Sequence, residues 1–332
     1  MAEARLGGRV AVVTGAGRGI GRAIAGCLAG QGCRVVVNDI GVAWNGEQSA
    51  EQPADAVVDE IRAAGGEAVG DRHSVIDEGP SIVRTAIDTY GRLDIVVNNA
   101  GITTIGLLTE TDREQFARIL ATHLTGSVDV IRAAWRHLAA SGSGRIVNIS
   151  SDAAYGSPLN SAYSSAKAAL IGLTRTLALD GVAEGIAVNA VIPIGYSRLH
   201  AVNANAASRN LFRDKFPPEM VASFVSWLAD PAMAASGETF SVGGGRVARM
   251  VMAEPPGVVV DDWSPEVWAA RMDDVMQVDR EQLFLVPHSN AKRTWLLADV
   301  LNLMSKEALT EHDSESVTFA APDTAAVAEV ER

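Results

Sequence analysis

Residues 10–39 read VAVVTGAGRGIGRAIAGCLAGQGCRVVVND, and their order decides the fold. A valine-rich run (10–15) enters a glycine turn, Thr14-Gly15-Ala16-Gly17-Arg18-Gly19-Ile20-Gly21. A segment of helical period (19–31) follows, and then a second valine-rich run (34–39). Near-continuous β-branched runs predict strands buried on both faces, and a helix between two of them joins them in parallel. The glycines let the backbone pass close to a pyrophosphate, while the opening of the helix offers unpaired N–H groups and the positive end of its dipole. Gly15, Gly17, Arg18, Gly19, Ile20 and Gly21 are therefore expected to hold a dinucleotide. Asp39 ends the second strand about twenty residues further on, where a carboxylate accepts from both adenosine ribose hydroxyls. A 2′-phosphate there would meet a like charge; at roughly 4 Å and an effective dielectric near 20 the repulsion is on the order of 4 kcal/mol. NAD is expected over NADP. Arg18 pulls the other way if it reaches a 2′-phosphate, and not at all if it is a solvated surface arginine.

Outward from this unit the alternation continues. EAVGDRHSV (67–75), LDIVVNNAG (93–101), RIVNISS (145–151) and IAVNAVIP (186–193) read as strands. Segments 54–64, 79–90, 111–140 and 161–184 read as helices, with Thr111 and Glu114 placed as a capping box. The fold class is α/β, a Rossmann-type doubly wound parallel sheet in a single NAD-binding and catalytic domain spanning 1–250. Residues 251–305 are expected to form a C-terminal extension packing on that domain. Its helix starts at Ser264-Pro265-Glu266 and runs to Met276. Residues 306–332, polar, acidic and alanine-rich, are expected to be a disordered tail.

Composition narrows the function. Forty acidic against 28 basic residues give a net charge of -12, which offers no electrostatic footprint for nucleic acid or an anionic membrane. The amino terminus has no basic-then-apolar secretory pattern and no apolar run reaches bilayer length, so a cytoplasmic location is expected. Cys27 and Cys33 lack metal-ligand spacing; they are expected to be packed thiols, with no metal site. Trp44, Trp135, Trp227, Trp263 and Trp268 are read as packing residues, any of which could also wall a substrate pocket.

Asn99-Ala100-Gly101 closes the fourth strand at the sheet edge where open α/β folds bind cofactors. Tyr163 and Lys167 stand one helical turn apart, after a strand ending in Ser150-Ser151. A phenol normally titrates near pH 10; the neighbouring ammonium and the positive nicotinamide ring are expected to bring it down toward working pH. A serine at the strand end can hydrogen-bond the substrate oxygen as charge develops there.

These elements, TGxxxGxG, NNAG, Ser, YxxxK and N-x-x-x-P in order, resemble the short-chain dehydrogenases/reductases over about residues 7–245. The resemblance implies that Tyr163 is the catalytic acid/base, that Lys167 lowers its pKa and holds the ribose, and that Ser151 or Ser150 orients the substrate oxygen. The family's second serine usually precedes the tyrosine by thirteen residues; Ser150 has that spacing and Ser151 has twelve, which favours Ser151 in a loop one residue shorter. VVVNDIG with its following insertion, THLTGS, RAAWRHL and SRL narrow the likeness. They resemble the (3R)-hydroxyacyl-CoA dehydrogenase domain of multifunctional enzyme type 2 and bacterial relatives acting on acyl-CoA or steroids. His123 stands where most of the family carries a relay asparagine; it relays protons or fills a kink near Gly126.

Two departures bear on the cofactor. The usual Pro-Gly reads Pro193-Ile194-Gly195, so nicotinamide contacts at Pro193 and Ile194 are shifted. The aspartate that commonly holds the adenine amine is absent from Arg72-His73-Ser74-Val75, where Asp71 comes too early and Ser74 and Val75 remain to meet the adenosine half. Segment 194–216 takes the place of the family's lid; its Arg198, Arg209, Arg213 and Lys215 greet a CoA phosphate or form a solvated face. The expected activity is reversible, NAD-dependent oxidation of a secondary alcohol to a ketone, on a 3-hydroxyacyl-CoA or hydroxysteroid. The alternatives are a ketoreductase tailoring a polyketide or polycyclic metabolite, and a non-catalytic dinucleotide-binding protein. As in the family, helices 111–140 and 161–184 are expected to build a homodimer or homotetramer.

Overall fold

The valine and isoleucine runs become β1 (Val10–Thr14), β2 (Arg34–Asn38), β3 (Glu67–Asp71), β4 (Ile95–Asn98), β5 (Arg145–Ile149) and β6 (Ala187–Pro193). Between them lie α1 (Gly19–Gly30), α2 (Pro53–Ala63), α3 (Gly79–Tyr90), α4 (Arg113–Leu120), α5 (Gly126–Ala140) and α6 (Ser161–Asp180). The computed structural model describes residues 5–47, 49–196, 206–260, 262–280 and 283–285. It divides at Met250 into two compact units.

In the first unit eight strands form one sheet in the order β3-β2-β1-β4-β5-β6-β7-β8, parallel as far as β7 (Thr239–Gly243) and closed by antiparallel β8 (Arg246–Met250). The strand order reverses between β1 and β4, which opens a crevice at their carboxyl ends. Successive side chains leave a strand on opposite faces. Ala11 and Val13 of β1 accordingly enter a core with Ile24, Leu28, Val57 and Val225, while Val10 and Val12 enter a second core with Ile82, Val130, Leu138 and Ala178. The two cores explain why apolar residues run along the central strands instead of alternating with polar ones.

Several local features differ from expectation. The last two strands were not read as strands: β8 is mostly exposed, and its only sequence signal is the turn Gly244-Gly245, with φ of +60° and +75°. The segment 111–140 is interrupted by a π-helical turn, Ala121–Thr125. Its cap is Asp112, not Thr111. Asp112 Oδ1 accepts from Gln115 N at 2.6 Å, whereas the Thr111 hydroxyl turns back to donate to Leu107 O at 3.1 Å. Helix 161–184 ends at Asp180 and continues as a separate 3-10 turn, Val182–Glu184.

In the second unit, Ala253–Glu254 pairs antiparallel with Phe284–Leu285. Its helix, Pro265–Val275, starts behind Ser264 with proline in the first turn, as the sequence predicts. The expected tail, 306–332, lies outside the described residues. Among those described, no helix is long and apolar enough to cross a membrane.

Candidate active site

A cavity of about 420 Å³ opens at the carboxyl ends of β1, β4, β5 and β6. One side is the glycine turn. Arg18, with extended backbone, precedes α1, whose first turn has no side-chain cap and no acidic residue, so its N–H groups and dipole are left for an anion. Space is tight behind the turn. A Cβ on Gly21 would lie 2.3 Å from Gly15 O and 2.4 Å from Asn99 Nδ2, and one on Gly17 would lie 2.7 Å from Pro53 and 2.8 Å from Asp39 Oδ2. Only glycine allows this approach. Asn99 ties the turn to β4: its Nδ2 donates to Thr14 O (2.9 Å) and Gly15 O (3.0 Å), and the Asn99 and Ala100 N–H groups donate to Thr14 Oγ1, each at 3.0 Å.

Asp39 is buried and braces the same turn. Its Oδ2 accepts from Gly17 N at 2.9 Å and its Oδ1 from Gly41 N at 2.8 Å. A smaller cavity beside it is lined by Asp39, Ser74, Val75, Ala100 and Gly101, so the residues expected at the adenosine half share one site. Arg18 is not free; it pairs with Glu51. A bare glycine cradle, an uncapped helix start and a carboxylate beyond them form a donor and acceptor set that fits a dinucleotide.

The other side of the cavity carries the titratable groups. Lys167 is 3% exposed, and its Nζ donates to Ile149 O at 2.6 Å. That nitrogen lies 5.5 Å from the centre of the Tyr163 ring. Burial pushes the lysine down to about 7. Tyr163 is half-buried at its own surface but enclosed by protein further out, and this enclosure pushes its phenol up to about 12. The Ser151 hydroxyl pulls it back, while the Asp152 carboxylate adds to the rise. The expected lowering by the ammonium is thus overturned in the protein alone. Desolvation of the phenol is the largest cause of the rise.

His123 lies in the π-helical turn, 2% exposed, with its ring edge-on to Tyr163 at 5.1 Å between centroids. Its Nε2 lies 2.7 Å from Ile102 O and 3.2 Å from Ile102 N, and its Nδ1 is buried with no hydrogen-bond partner. Burial first, and then the Lys167 charge, hold it well below the ordinary histidine range. A Cβ on Gly101 would lie 2.3 Å from His123 Cε1, so the glycine of Asn99-Ala100-Gly101 makes room for this ring. Gly126 serves the following helix, which approaches Val75 O closely.

The two strand-end serines have separate partners. Ser150 is buried and donates to Lys167 O at 2.8 Å. Ser151 donates to Asp152 Oδ1 at 2.9 Å and accepts from Ala153 N at 3.1 Å. Pro193 and Ile194 border the cavity as well, and Ile194 N donates to Val242 O at 2.7 Å. Of the lid segment, 197–205 lies outside the described residues, Arg198 and the SRL stretch with it. Arg213 and Lys215 sit on an exposed helix, Ala206–Lys215, which also sends Phe212 to the cavity.

Sequence reasoning missed Asp152 and Asn160. The latter precedes α6 and accepts from Thr103 Oγ1 at 3.0 Å. Trp44, read mainly as packing, borders the cavity, and its carbonyl accepts from Thr103 N at 3.0 Å. No local pattern marks any of the three; the crossing of two loops brings them in.

Comparison with known proteins adds an independent line. The family described as short chain dehydrogenase matches residues 9–207. Peroxisomal multifunctional enzyme type 2 of Drosophila melanogaster is 37% identical over 257 residues, 77% of this chain and 42% of that protein. The chain thus spans less than half the length of that relative. The fly enzyme's structure matches with a TM-score of 0.72 at 30% identity, covering 89% of this chain and 50% of that one. A 3-oxoacyl-[acyl-carrier-protein] reductase of Synechocystis is 40% identical over 250 residues, 73% of this chain and 98% of that one. A short chain dehydrogenase from Mycobacterium avium matches with a TM-score of 0.69 at 38% identity, covering 82% and 95% of the two chains.

Proposed function

This chain belongs to the short-chain dehydrogenases, oxidoreductases that use a nicotinamide dinucleotide on CH–OH and C=O carbons, and from that premise we propose that it is an NAD-dependent 3-hydroxyacyl-CoA dehydrogenase. The observation that carries the reading is one cavity bordered by the glycine cradle on one side and by Ser151, Tyr163 and Lys167 on the other. The acyl thioester substrate is drawn from two relatives whose names place them on acyl chemistry or in peroxisomal multifunctional enzymes. NAD is preferred because Asp39 puts a buried carboxylate where a 2′-phosphate would come and Arg18 is already paired.

The bound dinucleotide supplies the hydride acceptor or donor. Gly15 to Gly21 and the α1 start hold its pyrophosphate, Asp39 its adenosine ribose, and Ser74 and Val75 line the adenosine end. Tyr163 holds the proton at its phenol oxygen and exchanges it with the substrate oxygen. Ser151 turns its hydroxyl from Asp152 to donate to that same oxygen, while Ser150 is buried and donates to the Lys167 carbonyl. Lys167, anchored on Ile149 O, stands beside the phenol and gains charge when an anionic or polar group replaces the water it has lost. His123, whose protonation burial disfavours, packs edge-on against the Tyr163 ring and keeps a buried, unpartnered Nδ1.

The test is a panel of alcohols with NAD, read as NADH formation. It includes both configurations of a 3-hydroxyacyl-CoA, a hydroxysteroid and, in reverse, a polycyclic ketone with NADH. One hydroxyacyl-CoA configuration is expected to turn over fastest. Turnover of the steroid or the polycyclic ketone with no reaction of either thioester would overturn the substrate assignment.

A further inference from the structure

Outside the main cavity, a groove of about 360 Å³ lies between α1 and α2, walled by two ion pairs. Arg18 meets Glu51, and Arg22 clasps Glu60 through Nε at 2.8 Å and Nη2 at 2.9 Å. Gly17 lines this groove and also gives its N–H to Asp39 Oδ2 at 2.9 Å, so the groove adjoins the carboxylate of the adenosine end. Arg18 borders both the groove and the main cavity, whereas Arg22 borders the groove alone.

We propose that Glu51 is a specificity-determining residue for the dinucleotide: by occupying Arg18 it withholds from a 2′-phosphate the one guanidinium that, among the described residues, borders both spaces. The inference rests on the NAD reading above and deepens it. A free arginine offers a planar fork of donors that matches a phosphate, and it would offset the repulsion from Asp39. With Glu51 in place the fork is engaged, and a second carboxylate is added to the first. The pair itself contributes little to stability, because the Glu51 side chain is 71% exposed and well screened. Glu51 is a competitor for Arg18 more than a fastener of the fold, and its removal leaves α1 and α2 in place.

The test is titration calorimetry on the whole protein with NADH, NADPH and two fragments, 5′-AMP and 2′,5′-ADP, so that binding is read apart from turnover. Glu51→Gln is expected to tighten NADPH and 2′,5′-ADP by about tenfold, while NADH and 5′-AMP stay within about twofold. The gain shrinks as salt is raised. Adding Arg18→Gln to Glu51→Gln abolishes it, because the arginine is the agent. Glu60→Gln makes the same change in net charge at the other pair and leaves the NADPH to NADH ratio unmoved. An unchanged ratio in Glu51→Gln, or an equal gain in Glu60→Gln, overturns the inference. Wild-type protein that binds NADPH as tightly as NADH overturns instead the NAD reading on which it rests.

Discussion

At the glycine turn the side chains that shape the cleft have protein partners, both Asp39 oxygens accepting backbone N–H groups and Asn99 fastening two carbonyls, while the uncapped start of α1 is left open. Across the same cavity burial pushes Lys167 down to about 7 and the Tyr163 phenol up, and His123 keeps an unpartnered Nδ1. Both ends stand at the carboxyl edge of one sheet, so the difference is not one of fold. A binding cradle works by shape and can be satisfied in advance. Groups that must exchange protons are instead buried by packing, which moves their titration away from ordinary values.

The comparison is broken most severely at Tyr163. Tyr163→Phe is expected to lower turnover by about a thousandfold, the scale of a lost general acid/base. NADH binding, read by calorimetry, stays as in the wild type because the cradle is untouched; retained turnover would remove the phenol from the chemistry. Lys167 gives the next largest effect, on stability. Its pKa falls from an ordinary 10.5 to about 7 on folding, so between these values the unfolded chain binds a proton that the folded chain does not. Stability therefore rises as pH increases across that window, by on the order of a few kcal/mol, and has lost this contribution below about pH 7. Denaturant midpoints taken at successive pH values should show the rise in wild type and a flatter profile in Lys167→Met.

The two serines divide the comparison further. Ser151→Ala is expected to reduce turnover by about a hundredfold, as a lost donor to a developing oxyanion does. Ser150→Ala should leave turnover near wild type and lower stability by about 1 kcal/mol, the scale of one buried hydrogen bond. Reversed outcomes in kinetics would give Ser150 the substrate oxygen.

How far the sequence carries depends on the same distinction between local pattern and tertiary surroundings. The inner strands β1, β2, β4, β5 and β6 are legible because both faces of the sheet demand valine and isoleucine, and the glycine turn because so little else fits beneath Asn99 and Asp39. β8 escapes reading because an exposed edge imposes no apolar alternation. The helix cap is misread by one residue because Thr111 and Asp112 both suit the position and the competing bond to Leu107 O lies outside the pattern. ATHLT reads as ordinary helix; only its packing under Gly101 shows a π turn holding a ring against Tyr163. The family spacing of thirteen fits Ser150 and a shortened loop favours Ser151, while their acceptors, Lys167 O and Asp152 Oδ1, are tertiary or side-chain contacts that no spacing encodes. The titration of Tyr163 and Lys167 is set by burial, which no local spacing encodes.

The cradle itself is tested by adding one methyl group at two glycines of the same βαβ unit. At Gly17 a Cβ would fall 2.7 Å from the Pro53 ring, a rigid group at the start of α2, and 2.8 Å from Asp39 Oδ2. Neither neighbour can yield without opening the Gly17 to Asp39 hydrogen bond or moving a helix. Gly17→Ala is therefore expected to lower stability by about 2 kcal/mol, the scale of an overpacked site, and to weaken NADH binding. At Gly26, inside α1, a Cβ would meet nothing within 4 Å. Gly26→Ala should raise stability by roughly 0.5 kcal/mol through helix propensity, with NADH binding unchanged. Equal losses at both glycines would mean that α1 tolerates no change anywhere, and the cradle would lose its claim to a special fit.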